Sequence, residues 1–186
     1  MGTAALVVLA LVAAFVILTF NRLTRLRQLA ENAWSDIDVQ LKRRHELVPN
    51  LVAAVKGHAG YERTTLEDVV AARNRAAAAS GPRAAGEAEQ ALAGAVGQLI
   101  ALAEAYPDLK AAESFLNLQR SLVEIEDHVQ QARRFYNAVV RDLNTAIAQF
   151  PASLIAGPFG FRPREFFGLA DRAEAAAPAI DLGKPR

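Results

Sequence analysis

The residues able to do chemistry in this chain are few and scattered. Three histidines, five serines and no cysteine make up its stock of nucleophiles and soft ligands. Without cysteine, disulfides and thiolate metal sites are excluded. His45-Glu46 begins like a zinc-protease helix, in which a second His one turn on completes the metal pair, but Pro49 occupies that position. His45 adjoins Arg43 and Arg44 and is expected on a solvated helix face. His58 lies at a Gly-rich helix end and suits a turn. His128 follows Glu124 by one turn, a spacing that could share a metal but more often makes a surface ion pair. None of Ser35, Ser80, Ser114, Ser121 and Ser153 stands in a Gly-x-Ser-x-Gly elbow. No phosphate-cradling Gly loop or dinucleotide fingerprint occurs. Basic residues are not interleaved with aromatics as on a nucleic-acid surface, and a net charge of +1 gives no general pull toward polyanions. The expectation is no catalytic residue, no metal, no cofactor, no small-molecule substrate and no nucleic-acid partner.

What remains is a set of positions suited to a lipid boundary, and the elements that would hold them there. Thr3 to Phe20 carry no charge. Such a run, helical at about 1.5 Å per residue, crosses about 30 Å of hydrocarbon. A cleaved signal peptide would need a basic region before the run and a small-x-small site after it; neither is present, so residues 1–20 are expected to stay as a transmembrane anchor. Arg22, Arg25 and Arg27 follow directly, where they can meet anionic headgroups, while no Lys or Arg precedes the run. The positive-inside rule then puts the N-terminus outside and the rest of the chain in the cytoplasm.

Helical periodicity continues without a break into residues 21–150. Leu23, Leu26, Ala30, Ala33, Ile37, Leu41, Val48, Leu51 and Val55 recur at three- and four-residue steps, and Trp34 shares that core face. Pro49 is expected to kink this helix near Glu46, and Gly57 and Gly60 to end it. A second helix fits Glu62 to Ala79 and a third Ala84 to Ala105, with Ser80-Gly81-Pro82 between them. After Tyr106-Pro107-Asp108, one apolar stripe from Leu109 to Phe150 predicts a single long helix. Phe150-Pro151 ends it. Residues 151–170 hold Phe159, Phe161, Phe166 and Phe167, and residues 171–186 form an Ala- and Pro-rich tail expected to be flexible. The predicted fold is all-α: a transmembrane helix running into an elongated antiparallel bundle of about four helices.

Four stretches carry a family resemblance: WSDIDVQLKRRHELVPNLVAAVKG from Trp34, AEAYPDLKAAESFLNLQ from Ala103, RRFYNAVVRDLNTAIAQFP from Arg133 and SLIAGPFGFRPREFF from Ser153. Together they resemble the LemA family over most of the chain. Pro158 departs from the larger apolar residue common there. The resemblance implies a membrane-anchored helical bundle, in a bacterial inner membrane, with no established enzymatic activity. It also implies a helper role beside envelope proteins such as membrane proteases.

Summing helix rises outward and back returns Phe150 to the level of the anchor. The Phe-rich segment, with Arg162 and Arg164, is thus expected either to dock on lipid or a membrane partner, or to cap the open end of the bundle. The functional expectation is a non-enzymatic scaffold or adaptor with protein partners, self-association among them; the alternative is an accessory subunit of a membrane protease or other envelope complex.

Overall fold

The computed structural model describes residues 2–57 and 63–168, all helix, turn or extended chain without a strand. Helix α1 (Gly2–Lys56) comprises 55 residues, so it is about 80 Å long. Its N-terminal third is the uncharged run. An 18-residue window within it is apolar enough to cross a membrane, and none of that window is buried by the protein. From Leu23 onward the apolar stripe read from the sequence is the buried one: Leu23, Ala30, Ala33, Ile37, Leu41, Val48, Leu51 and Val55.

Two elements cover the far half of α1. Helices α2 (Arg63–Ala78) and α3 (Pro82–Glu104) form a hairpin that buries Leu66, Val69, Leu92, Val96 and Leu99 against Val48, Leu51 and Val55. The turn uses Gly81 at φ 87°, a left-handed conformation that favours glycine, with Pro82 opening α3. The near half of α1 is covered by α5 (Glu113–Ala148), whose Ile125, Val129, Tyr136, Val139, Val140 and Leu143 pack on Ala30, Ala33, Ile37 and Leu41. The small alanines let the two axes approach closely. Since Leu122 lies with Val48 and Ala146 with Leu23, α5 runs antiparallel to α1.

Two details differ from the sequence reading. The last long helix is broken near its start: α4 (Pro107–Ala111) stops at Ala112, whose ψ of 123° is extended, and α5 begins at Glu113. The stripe crosses this break because Leu109 and Phe115 enter the same core. Beyond α6 (Ser153–Ala156) the chain passes through a turn into an extended strap that ends the described residues at Gly168, an element that the sequence pattern does not predict. The expected flexible tail, His58 and Gly60 lie outside the described residues.

Helix α1 runs on through Pro49. Proline lacks the N–H that would bond to the carbonyl four residues back, which frees the carbonyl of His45. Arg73 of α2 takes up that acceptor: its Nε donates to His45 O at 3.2 Å. The helix defect is thus a docking point for its neighbour. Replacing Arg73 by Met is expected to cost about 1 kcal/mol in denaturant unfolding of the detergent-solubilised chain. In a Pro49→Ala background, which restores the helix bond, the same change should cost markedly less. Additive losses in the double variant would contradict this role.

Candidate membrane-end site and the buried ion cluster

The end of the bundle next to the apolar run is assembled from α1, the C-terminus of α5, α6 and the strap. Leu23, Ala146, Ala156 and Phe161 form one buried cluster, with Phe20 and Ile147 packed against it. The ring of Phe20 meets those of Phe159 and Phe161 edge-on, at 5.3 and 5.6 Å between centroids. The guanidinium of Arg27 stands over the Phe161 ring at 5.3 Å, a cation–π contact. The chain's late Phe-rich segment therefore does return to the last turn of the apolar run, as the summed helix lengths predict.

From there the strap climbs along the α1/α5 seam. An extended backbone leaves its amides unpaired unless side chains serve them. Two asparagines of α5 do so. Asn144 donates through Nδ2 to Arg164 O at 2.9 Å and accepts from Arg164 N at 2.8 Å. Asn137 treats Phe167 in the same way, at 3.2 and 2.9 Å. The spacing is commensurate: seven helical residues rise about 10.5 Å, and three extended residues span about 10 Å. Tyr136 Oη donates to Glu165 O at 2.9 Å and Arg133 Nη2 to Gly168 O at 3.3 Å. Phe167 is buried beside Trp34, with Tyr136 on the same ring, and Arg164 pairs with Glu31 of α1. At its end the strap crosses α3 at Gly86, where a β-carbon would overlap the backbone nitrogen and Cα of Gly168.

The sequence-derived candidates thus divide. Phe161 and Phe167 are buried and Phe166 half-buried: Phe161 packs at the end of the bundle, whereas Phe166 and Phe167 pack further along, in the α1–α5 core. Arg27 and Arg164 are tied down inside the site. Arg22, Arg25, Phe159 and Arg162 remain exposed. Trp34 packs as core, as its period predicts.

A second polar site was not foreseen. His45 is not on a solvated face: it is buried, with Arg44, at the junction of α1, α3 and α5. His45 Nε2 lies 2.5 Å from Glu89 Oε1, and Arg44 Nη1 lies 3.4 Å from the other oxygen of this buried carboxylate. Arg44 also reaches Glu126 of α5 at 3.1 Å, a charge contact without hydrogen-bond alignment. The cluster floors a cavity of about 380 Å³ whose rim includes Arg83, Gln90, Gln130 and Arg133. His128 and Glu124, the other candidate pair, are both exposed, and no cluster of metal-binding side chains occurs among the described residues. The sequence did carry a signal. The α1 stripe skips from Leu41 to Val48, and the residues standing in the gap are Arg44 and His45.

These features define an all-α protein in which a helix long and apolar enough to cross a membrane continues into the core of a bundle closed by a C-terminal strap. The LemA family model matches residues 33–182, and the chain belongs to the LemA family. It is 28% identical to magnetosome protein MamQ of Magnetospirillum gryphiswaldense over 191 residues, covering 88% of this chain and 70% of that protein. It is 24% identical to magnetosome protein MamQ 2 of Paramagnetospirillum magneticum, covering 83% and 66%. Protein LemA of Metamycoplasma hominis is 26% identical over 137 residues, or 73% of this chain and 63% of that protein. The chain therefore spans about two thirds of the length of these relatives.

Two outcomes follow. Glu89→Ala, which strands Arg44 and His45 in a buried site, should destabilise the chain by about 3–5 kcal/mol in thermal or denaturant unfolding. Replacing the trio together (Arg44→Met, His45→Leu, Glu89→Leu) should recover much of that loss. Tyr136 offers a titration. Burial pushes its hydroxyl up to about 12 from 10, with Arg164 opposing and Glu165 adding to the rise. A raised folded-state value favours the neutral phenol, so its contribution to stability is complete below about pH 10 and is lost as pH climbs through 12. In a variant with Tyr61 and Tyr106 changed to Phe, the ultraviolet tyrosinate signal should appear near pH 12. An ordinary titration near 10 would contradict the buried strap bond.

Proposed function

We propose that this chain is a membrane-tethered, non-catalytic scaffold or adaptor, held in a bacterial inner membrane with its bundle on the cytoplasmic side. The observation that carries the reading is the continuity of α1: one helix supplies both the apolar run and the central core stripe. A tether joined by a flexible linker would leave the bundle free to tumble. A helix shared by both fixes the bundle's direction and height above the bilayer, as presenting a docking face requires. Arg22, Arg25 and Arg27, with no basic residue before the run, favour cytoplasmic placement.

A face for a protein partner lies between α3 and α5. A groove of about 1050 Å³ is lined by Val96, Gly97, Ile100, Leu116 and Val123, among others. Val123 is 63% exposed. Asn117, Gln119, Arg120, Glu124 and Asp127 stand among these apolar residues, and such a mixed lining suits the two faces of an amphipathic helix. A photo-crosslinking residue placed at Val123 in native membranes is expected to give a discrete protein adduct, from a heterologous protein or a second copy. Absence of any protein adduct there would contradict an adaptor working through this groove.

A further inference from the structure

Outside the apolar run, the most exposed large apolar side chains among the described residues are Phe150 at 80% and Leu154 at 67%, with Phe159 at 52% on the same corner of the fold. Isolated exposed apolar residues need no explanation, but three on one corner do. The corner is itself two-sided. Ile155 and Ala156 of α6 face inward, and Ala156 joins the Leu23 and Phe161 cluster, while Leu154 faces out.

The height of this corner is fixed by packing. Ala146 shares a cluster with Leu23, and α5 runs antiparallel to α1. Ala148, the last residue of α5, lies about 3 Å further toward the apolar run, and Phe150 follows two residues beyond that helix end. Phe159 touches Phe20, the last residue of that run. Charge points the same way. No acidic residue precedes Glu31, and none lies between Asp142 and Glu165. Arg22 and Arg25 share a depression with Arg141 and the single carboxylate of Asp142, so the charge beside the corner is net positive, and Arg162 adds to it from the strap. Apolar side chains at the depth where a span ends, ringed by arginines, are the composition of a segment lying in the headgroup–acyl boundary.

The geometry points to a second membrane-binding site: the α5–α6 corner inserts Phe150, Leu154 and Phe159 into the interface of the bilayer that α1 crosses, beside the anchor. The occupant is lipid rather than protein, because the height of the corner is set by the end of the span itself. The inference rests on α1 spanning the membrane. The bundle is then held at two points, which restricts its tilt relative to the bilayer.

The natural absence of cysteine permits a direct test. Single cysteines are placed in the full chain at Phe150, Leu154 and Phe159, at Val12 within the span, and at the exposed Val39 of α1 and Phe135 of α5 as references. Each variant is labelled with an environment-sensitive fluorophore and reconstituted in phosphatidylglycerol–phosphatidylcholine vesicles. Labels at 150, 154 and 159 should shift to the blue and be quenched by lipids carrying a quencher near the headgroup, while those at 39 and 135 stay water-like. Labels at 150, 154 and 159 as water-like as those at 39 and 135, with Val12 lipid-exposed, would overturn the second site while leaving the span intact. A water-like Val12 would overturn both. Labels at the corner shielded from water but unquenched by lipid would mean that a second copy covers it, and would overturn the lipid assignment.

Discussion

One helix carries two kinds of surface. The first third of α1 is apolar on every side, which suits lipid, and the remainder is apolar on one stripe only, which suits a bundle. Because the helix is uninterrupted between the two, the bundle has no freedom to choose where it begins: Leu23, three residues past the apolar run, is already 1% exposed. All later elements are arranged around that fact. The α2–α3 hairpin covers the outer half of the stripe, α5 brings the chain back over the inner half, and the strap seals the seam between them.

The strap shows how a fold can hold an extended segment without a sheet. A lone extended chain on a helical surface would leave its amides unsatisfied. Asn137 and Asn144 act as two short pieces of partner strand, each offering one acceptor and one donor to a single residue. Their spacing works because two helical turns and three extended residues cover nearly the same distance. The aromatic contacts of Phe161 and Phe167 supply apolar burial at either end, and Gly86 leaves room for the crossing over α3. The same contacts set the position of the α5–α6 corner, so the polar fastening and the end of the bundle beside the apolar run are one construction.

Much of this was legible in the sequence. The length of the apolar run, the three- and four-residue periodicity and the Gly-Pro punctuation gave the helices to within a few residues, because each is a local property of the chain. The return of Phe150 to the anchor was legible too, since helix rise is additive. The strap was not, because an extended segment with a few aromatics has no period, and Asn137 and Asn144 read as ordinary polar surface on an amphipathic helix. The break at Ala112 was invisible for a similar reason: alanine gives no stop signal, and the apolar stripe resumes in register. The position of His45 was misread through its neighbours. Arg43 does face solvent, but the helical phase of Arg44 and His45 places both of them inside. Their partner Glu89 stands in the α3 stripe between Ala85 and Leu92, so both halves of the buried cluster interrupt apolar stripes. Such interruptions become meaningful only when two of them meet in space.

The most direct test of a single helix carrying both surfaces is amide hydrogen exchange on the full chain in lipid vesicles, resolved across residues 18–28. An unbroken helix predicts slow exchange throughout that segment, continuous with the protection of the bundle core and without a dip at the lipid boundary. Rapid exchange confined to the residues around Asn21–Thr24, between a protected span and a protected bundle, would reveal a hinge there and contradict the account.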